Sequence, residues 1–254
     1  MTMTFHLTMI GIACLISFTG IKAQELTILT EEYPPYQSQA GGKASGLSLE
    51  IAQELLKELN IEKKIEFNPW ARAWKRATTE KNIMLFSVMR NPEREKMFHW
   101  IGPIVNVNNC LFSTDKKLSE EKNLDSLKQK PYMIGTVRDD IFESFLISQK
   151  FPEKQIHRHN SHEGNYKMML AGRLDFWAVD EVTAKSIAIE SAADEKSKKE
   201  LFKGFCMGSK ASNEGIYFVL SKNTDQTFSN QVKEAFAKIK SKNEYKEIVK
   251  KYKK

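Results

Sequence analysis

Beyond its first two dozen residues, this 254-residue chain has no apolar run long enough to cross a bilayer; a helical span would need roughly 20 such residues. It carries no internal repeat and no low-complexity linker, so neither a solenoid nor a string of tethered modules is expected. No Gly-x-Ser-x-Gly elbow or other nucleophile signature occurs, and nothing resembles a nucleic-acid-binding motif. Cysteine is scarce, at three residues, with no spacing that suggests metal or redox chemistry. His157, His159 and His162 lie close together, but in a polar stretch without a carboxylate or cysteine at tetrahedral spacing, and they read as solvated loop residues. Neither a metal nor a cofactor is expected.

What is present begins at the N-terminus. Residues 7–18 form an apolar core, followed by Thr19-Gly20-Ile21-Lys22-Ala23 and then a polar, strand-like stretch. A short apolar core ending at a small residue is the pattern of a secretory signal. Segment 1–23 is therefore expected to be cleaved after Ala23, leaving 231 of the 254 residues in the periplasm. A buried first helix is the alternative. A lipoprotein anchor through Cys14 is disfavoured because Gly11 stands where Leu is expected. An oxidising compartment permits a disulfide between the remaining cysteines, Cys110 and Cys206, with two buried free thiols as the alternative. The formal net charge is +7, yet residues 233–254 alone hold nine lysines against three glutamates. The excess is one lysine-rich terminal helix, which reads as a solvated face and not as a polyanion site. The lysines of 196–203 read as a solvated connector.

Strand-like and helix-like segments alternate, which predicts an α/β protein. Strands are expected at 26–29, 65–67, 83–86, 105–112, 132–137, from 156, at 174–179 and at 216–220. Gly41-Gly42 and Gly46 mark a turn, after which Leu47, Ile51, Leu55 and Leu59 recur every four residues and give a helix with one apolar stripe. Further helices are expected at 70–77, after an N-cap at Asp139 or Asp140, at 165–171 up to a stop at Gly172, and from Phe228 to the end. The chain should build one lobe over 24–109, cross to a second over 110–214, and return over 215–254. Two crossings make a hinge. A cleft between such lobes, at the carboxyl ends of their strands, is where α/β proteins place ligands.

Four groups fall at expected strand ends. Glu31-Glu32-Tyr33-Pro34-Pro35-Tyr36 follows the first strand, its prolines stiffening a loop whose tyrosines offer flat amphipathic surfaces. Pro69-Trp70-Ala71-Arg72-Ala73-Trp74 is the second, Arg90 and Arg94 after the third strand are the third, and Asp180 is the fourth. An arginine on a cleft wall can grip a carboxylate through two parallel hydrogen bonds, and an aspartate opposite can pair with an ammonium. That set suits a zwitterion or another small polar solute. Core or rim positions for the aromatics, ion pairs with Glu93 and Glu95 for the arginines, and a helix cap for Asp180 remain open alternatives.

Six pieces in this order resemble one known family. They are Glu32-Tyr33-Pro34-Pro35-Tyr36; Gly46-Leu47 followed by Glu50; Asn91-Pro92-Glu93-Arg94-Glu95-Lys96 with Gly102-Pro103; Gly135-Thr136-Val137-Arg138; Ala171-Gly172-Arg173-Leu174-Asp175 ending in Asp180; and the Lys-Tyr-Lys-Lys tail. The chain resembles, over nearly all of its mature length, the bacterial extracellular solute-binding proteins of family 3, the amino-acid-binding type that serves ABC importers. The resemblance implies a two-lobed periplasmic-binding-protein type II fold, with a double-crossover hinge, that closes on its ligand. It also implies that Arg94 grips an α-carboxylate, that Asp180 accepts an ammonium, and that Tyr33 and Tyr36 flank the bound molecule. Asp139-Asp140 departs from the family's small Gly-Ser or Gly-Thr pair, as do Met89, Arg90 and Glu50 from their usual residues. Two acidic side chains at 139 and 140 oppose a carboxylate, so both join the candidate ligand contacts and count against an α-amino acid.

The expected function is capture of a small polar solute, without turnover, by a monomer that hands it to the membrane permease of an ABC importer. The alternative is presentation of the ligand to a membrane sensor kinase. A third reading is a dehydratase-like enzyme on the same fold, with Asp139, Asp140 or Glu32 as general acid.

Overall fold

The computed structural model describes residues 26–39, 42–192, 200–207 and 215–252. The expected leader 1–23, Gly41 of the first turn, 196–199 of the lysine-rich connector, and Lys253 and Lys254 lie outside the described residues.

The strands are β1 (Thr27–Thr30), β2 (Ile65–Phe67), β3 (Ile83–Met89), β4 (Phe98–Asn106), β5 (Asn109–Ser113), β6 (Ile134–Val137), β7 (Ile156–His159), β8 (Phe176–Asp180), β9 (Phe202–Cys206) and β10 (Gly215–Ser221). The helices are α1 (Leu47–Glu58), α2 (Trp70–Thr79), α3 (Lys116–Ser119), α4 (Leu124–Gln129), α5 (Ile141–Ser148), α6 (His162–Leu170), α7 (Glu181–Glu190), α8 (Gln226–Ser241) and α9 (Asn243–Tyr252). They build two five-stranded sheets, ordered β2-β1-β3-β10-β4 and β7-β6-β8-β5-β9. In each, a parallel trio is followed by a strand lying antiparallel to both its neighbours. That fourth strand is the one each crossing delivers: β5 enters the second sheet directly after β4, and β10 brings the chain back to the first.

Central strands covered on both faces read as continuous apolar runs, and β3 and β10 are buried along their whole length. Met84 and Phe86 of β3 face the cluster of Ile51, Leu55, Val232 and Phe236 from α1 and α8, while Ile83 and Leu85 face Trp70, Ala73 and Ala77 of α2. In the second sheet Trp177 and Val179 pack on Tyr166, Met169 and Ile187, and Phe176 and Ala178 join the opposite cluster with Phe142, Phe145 and Leu146. Each sheet is thus a middle layer between helices.

Three sequence expectations shift. The extended run 105–112 divides into the end of β4 and most of β5, and β4 begins earlier, at Phe98; its buried residues Phe98, Ile101 and Ile104 fall every third position, which hides the two-residue period of a strand. Helix α6 starts at His162, where Ser161 supplies the N-cap, its hydroxyl accepting from the Gly164 N–H at 3.2 Å. Strand β9 lies partly in the stretch read as a connector; it is an edge strand in which only Gly204 is fully buried, so its apolar signal is weak. The terminal lysines also do more than face solvent. Lys238 and Lys242 pair with Glu58, and Lys251 and the Tyr252 hydroxyl both reach Glu50, so the tail is tied to α1. No helix among the described residues is long and apolar enough to cross a membrane.

Cys110 and Cys206 face each other across the β5–β9 pair, with their sulfurs bonded. The bond closes a loop of 96 residues in sequence separation. By the chain-entropy argument its loss should cost about 2–5 kcal/mol, or roughly 5–20 °C in melting temperature, and calorimetry with and without reductant checks this. Gly46 precedes α1 at φ 130°, and a Cβ there would lie 2.5 Å from the Tyr36 carbonyl oxygen. Gly46→Ala should therefore destabilise the fold by about 1–3 kcal/mol, read from denaturant melts.

Candidate ligand-binding cleft

Helix α1 has no side-chain N-cap. Its first N–H groups are satisfied instead by the tyrosine loop: Leu47 donates to the Pro35 carbonyl at 3.1 Å, and Ser48 to the Tyr36 carbonyl at 2.7 Å. The loop closes on itself through Tyr33 N–H to the Gln37 carbonyl at 2.9 Å. This leaves Tyr33 and Tyr36 buried with their hydroxyls directed at the other lobe. Tyr33 donates to Asp180 Oδ2 at 2.6 Å, and Tyr36 to Oδ1 at 2.8 Å. Asp180 ends β8 and also caps α7, accepting the N–H groups of Val182 and Thr183 at 3.1 and 3.0 Å. The cap expected of Asp180 is present, and the same carboxyl group meets both tyrosines of the other lobe.

A second seam joins the lobes at the start of α5. Arg94 is buried; its guanidinium lies 4.3 Å from the Trp74 ring centroid and 5.9 Å from that of Trp70. It donates to the carbonyls of Asp139 at 3.0 Å and Met89 at 3.5 Å. The Trp70 indole N–H donates to the same Asp139 carbonyl at 2.9 Å. Asp139 sits at φ 61°, a left-handed conformation that Asp tolerates better than most residues. Asp140 caps α5, accepting from the N–H groups of Val137 and Glu143 at 2.9 and 2.7 Å, while Glu143 accepts from Asp139 N–H at 2.6 Å.

Between these seams lies a cavity of about 20 Å³, lined by Glu31, Tyr33, Trp70, Arg94, Asp140 and Phe142, with Ser87, Met89, Ile141 and His162. That is room for about one water molecule, so any solute must enter with the lobes further apart than here. Burial dominates its electrostatics. It pushes Glu31 well above the ordinary carboxylate range, helped by the charges of Asp140 and Glu32. It raises Asp140 to about 7, against the opposing pull of the backbone N–H groups and Arg94. It lowers Arg94 to about 10 and His162 to about 3, so Arg94 stays charged and His162 neutral near pH 7. Burial followed by the Asp180 charge raises Tyr33 and Tyr36, keeping their hydroxyls protonated as donors.

The structure thus brings together Tyr33, Tyr36, Trp70, Arg94, Asp140 and Asp180. Asp139 takes part through its carbonyl, its side chain being exposed. Arg90 does not join them. Its guanidinium pairs with Glu95 and lies 5.2 Å from the Trp100 centroid, as the ion-pair alternative held. His162 is not a solvated loop residue: it is buried, stacked on Tyr33 at 5.0 Å, and accepts the Trp177 indole N–H at 3.4 Å. Glu31, which heads the first strand-end group, and His162 both line the cavity; His162 was read as solvated although it follows the carboxyl end of β7, where the placement rule for α/β folds points. No group of three or more metal-ligating residues is assembled among the described residues.

Comparison with known structures supports the fold. A histidine kinase sensor domain with similarity to periplasmic binding proteins superposes with a TM-score of 0.75 at 15% identity, over 90% of this chain and 96% of that one. An ancestral arginine-binding protein bound to arginine gives 0.74 at 17% identity, over 90% and 98%. An arginine 3rd transport system periplasmic binding protein from Legionella pneumophila gives 0.74 at 18% identity, over 89% and 98%. No curated protein matches the sequence. At these identities the likeness establishes architecture. The sequence itself matches a family throughout residues 26–254, and the chain belongs to the bacterial extracellular solute-binding proteins, family 3.

Proposed function

We propose that the protein captures a small polar solute between its two lobes, outside the cytoplasm, and passes it as a monomer to the permease of an ABC importer. The observation that carries this reading is the pair of tyrosine hydroxyls of one lobe meeting the Asp180 carboxyl of the other. Such a contact can form only when the lobes are closed, and its groups are the kind that a polar ligand engages. Aromatic walls with few polar groups converging on them are typical of small-molecule sites. The two arginine-binding proteins of similar fold support an amine- or guanidine-bearing solute as one class to test.

A second reading has a specific support, the similarity to a histidine kinase sensor domain. In it the same trap presents its ligand to a membrane sensor. Pull-down from membranes separates the two, according to whether a permease or a kinase is recovered.

Thermal melts of the purified protein against amino acids, polyamines, organic acids and short peptides test the binding reading. A ligand at a hundred times its Kd should stabilise by about 2.7 kcal/mol, a rise of roughly 5–10 °C. No rise with any class would count against it. Asp180→Asn keeps a side chain able to cap α7 while replacing the anionic acceptor of two tyrosine hydroxyls. Hydrogen bonds to charged groups are worth about 1.5–3 kcal/mol, so solute affinity should fall by tenfold or more, measured by titration calorimetry.

A further inference from the structure

We propose that the cleft takes a small organic cation, an ammonium or guanidinium compound that needs no carboxylate of its own. This rests on the solute-binding reading above and names the chemistry of the same cleft.

Several of the donors that an anion would need are already engaged. Arg94 directs N–H groups at the carbonyls of Met89 and Asp139, and Trp70 directs its own at Asp139. The first turn of α5 would otherwise be a ready anion cradle. Here the protein's own carboxyls occupy part of that region: Asp140 takes the N–H of Glu143 in the turn and that of Val137 before it, and Glu143 takes that of Asp139.

One acceptor, Glu31, is not engaged in this way. Glu31 is 9% exposed and borders the same cavity as Asp140. Among the described residues, no donor bonds its carboxyl group. Burying a carboxyl without a partner is costly, and an entering cation would supply the missing one. The walls suit that cation. Tyr33, Trp70, Phe142 and His162 border the cavity, and aromatic faces attract cations most where water is excluded. Trp70 and Trp74 already hold one such group, the Arg94 guanidinium.

The charge balance points the same way. The titratable groups lining the cavity are Glu31 and Tyr33 after β1, Arg94 after β3, Asp140 at α5 and His162 at α6; Glu32, Glu93, Asp139, Glu143 and Asp180 act on them from outside its lining. Among the described residues Arg94 is the one cation lining the cavity, against the carboxyls of Glu31 and Asp140. Burial favours the protonated form of both, with the charge of Asp140 adding to it at Glu31 and that of Glu143 at Asp140. A cation placed between them favours the charged form, so binding should release protons and tighten as pH rises through about 7, the value for Asp140. A carboxylate ligand would do the reverse and take protons up.

The test is titration calorimetry of the purified protein with agmatine, putrescine, arginine and glutamate, in two buffers of different ionisation heat. The expected result is that agmatine or putrescine binds at least as tightly as arginine, that glutamate does not bind, and that protons are released. Glu31→Gln, a near-isosteric neutral change, should weaken the cation tenfold or more while leaving the melting temperature of the free protein near its original value. Asp140→Asn keeps the α5 cap and should weaken it as well. Binding only by the carboxylate-bearing compounds, proton uptake on binding, or unchanged cation affinity in both variants would overturn the cation assignment and leave a solute-binding protein standing. No binding by any of the four compounds also overturns it, and the broader thermal screen then decides whether the solute-binding reading falls too.

Discussion

The closed arrangement of the two lobes depends on one carboxyl group. Asp180 collects four donors, two from the backbone of the helix that follows it and two hydroxyls from the opposite lobe. The two sets act differently. The backbone donors hold the side chain in place whatever the lobes do, because they belong to the same turn. The tyrosine donors form only on closure. When the lobes part, water can replace the hydroxyls while the cap remains, so opening does not strand an unsatisfied charge in a dry interior. Removing one partner of a buried polar contact is costly chiefly because of such stranding. A joint that avoids it would suit the proposed capture of a solute between the lobes, which requires both open and closed states.

The second seam works by geometry more than by charge. Asp139 in its left-handed conformation presents its carbonyl, and not its side chain, to Trp70 and Arg94. Arg94 is thereby fixed between a carbonyl and two indole faces. Its burial lowers its pKa without neutralising it at pH 7. The same turn starts α5, whose cap Asp140 faces the cavity. One short segment therefore terminates β6, starts α5, bridges the lobes and sets the charge of the cleft. Changes at 139 or 140 should be expected to move all four together.

Much of the architecture was legible along the chain. The apolar runs at β3, β8 and β10 stood out because those strands are covered on both faces, and the four-residue spacing of Leu47, Ile51 and Leu55 identified α1 because only one face of that helix is buried. The weak elements escaped for the opposite reason: β9 is a short edge strand with one buried residue, and β4 buries every third residue in place of every second. Tyr33, Tyr36, Trp70, Arg94 and Asp180 were found as candidates because strand ends are local features, and Asp140 because it departs from the family's small pair. Arg90 was chosen by the same rule and turned to Glu95, since the direction of a side chain is not a local property.

By itself, the sequence determined the alternation of strands and helices, the order of the two lobes, and the family, because hydrophobic periodicity and short motifs are read over neighbouring residues. Only the tertiary structure decided which groups meet. Tyr33 and Asp180 lie 147 residues apart, and Trp70 reaches the Asp139 carbonyl across 69. The fates of Glu31 and His162 were likewise decided there. Their burial, and with it the shift of their protonation away from ordinary values, comes from surfaces that the opposite lobe and distant helices supply. Desolvation is a sum over everything within a few ångströms in space, and no window along the chain contains it.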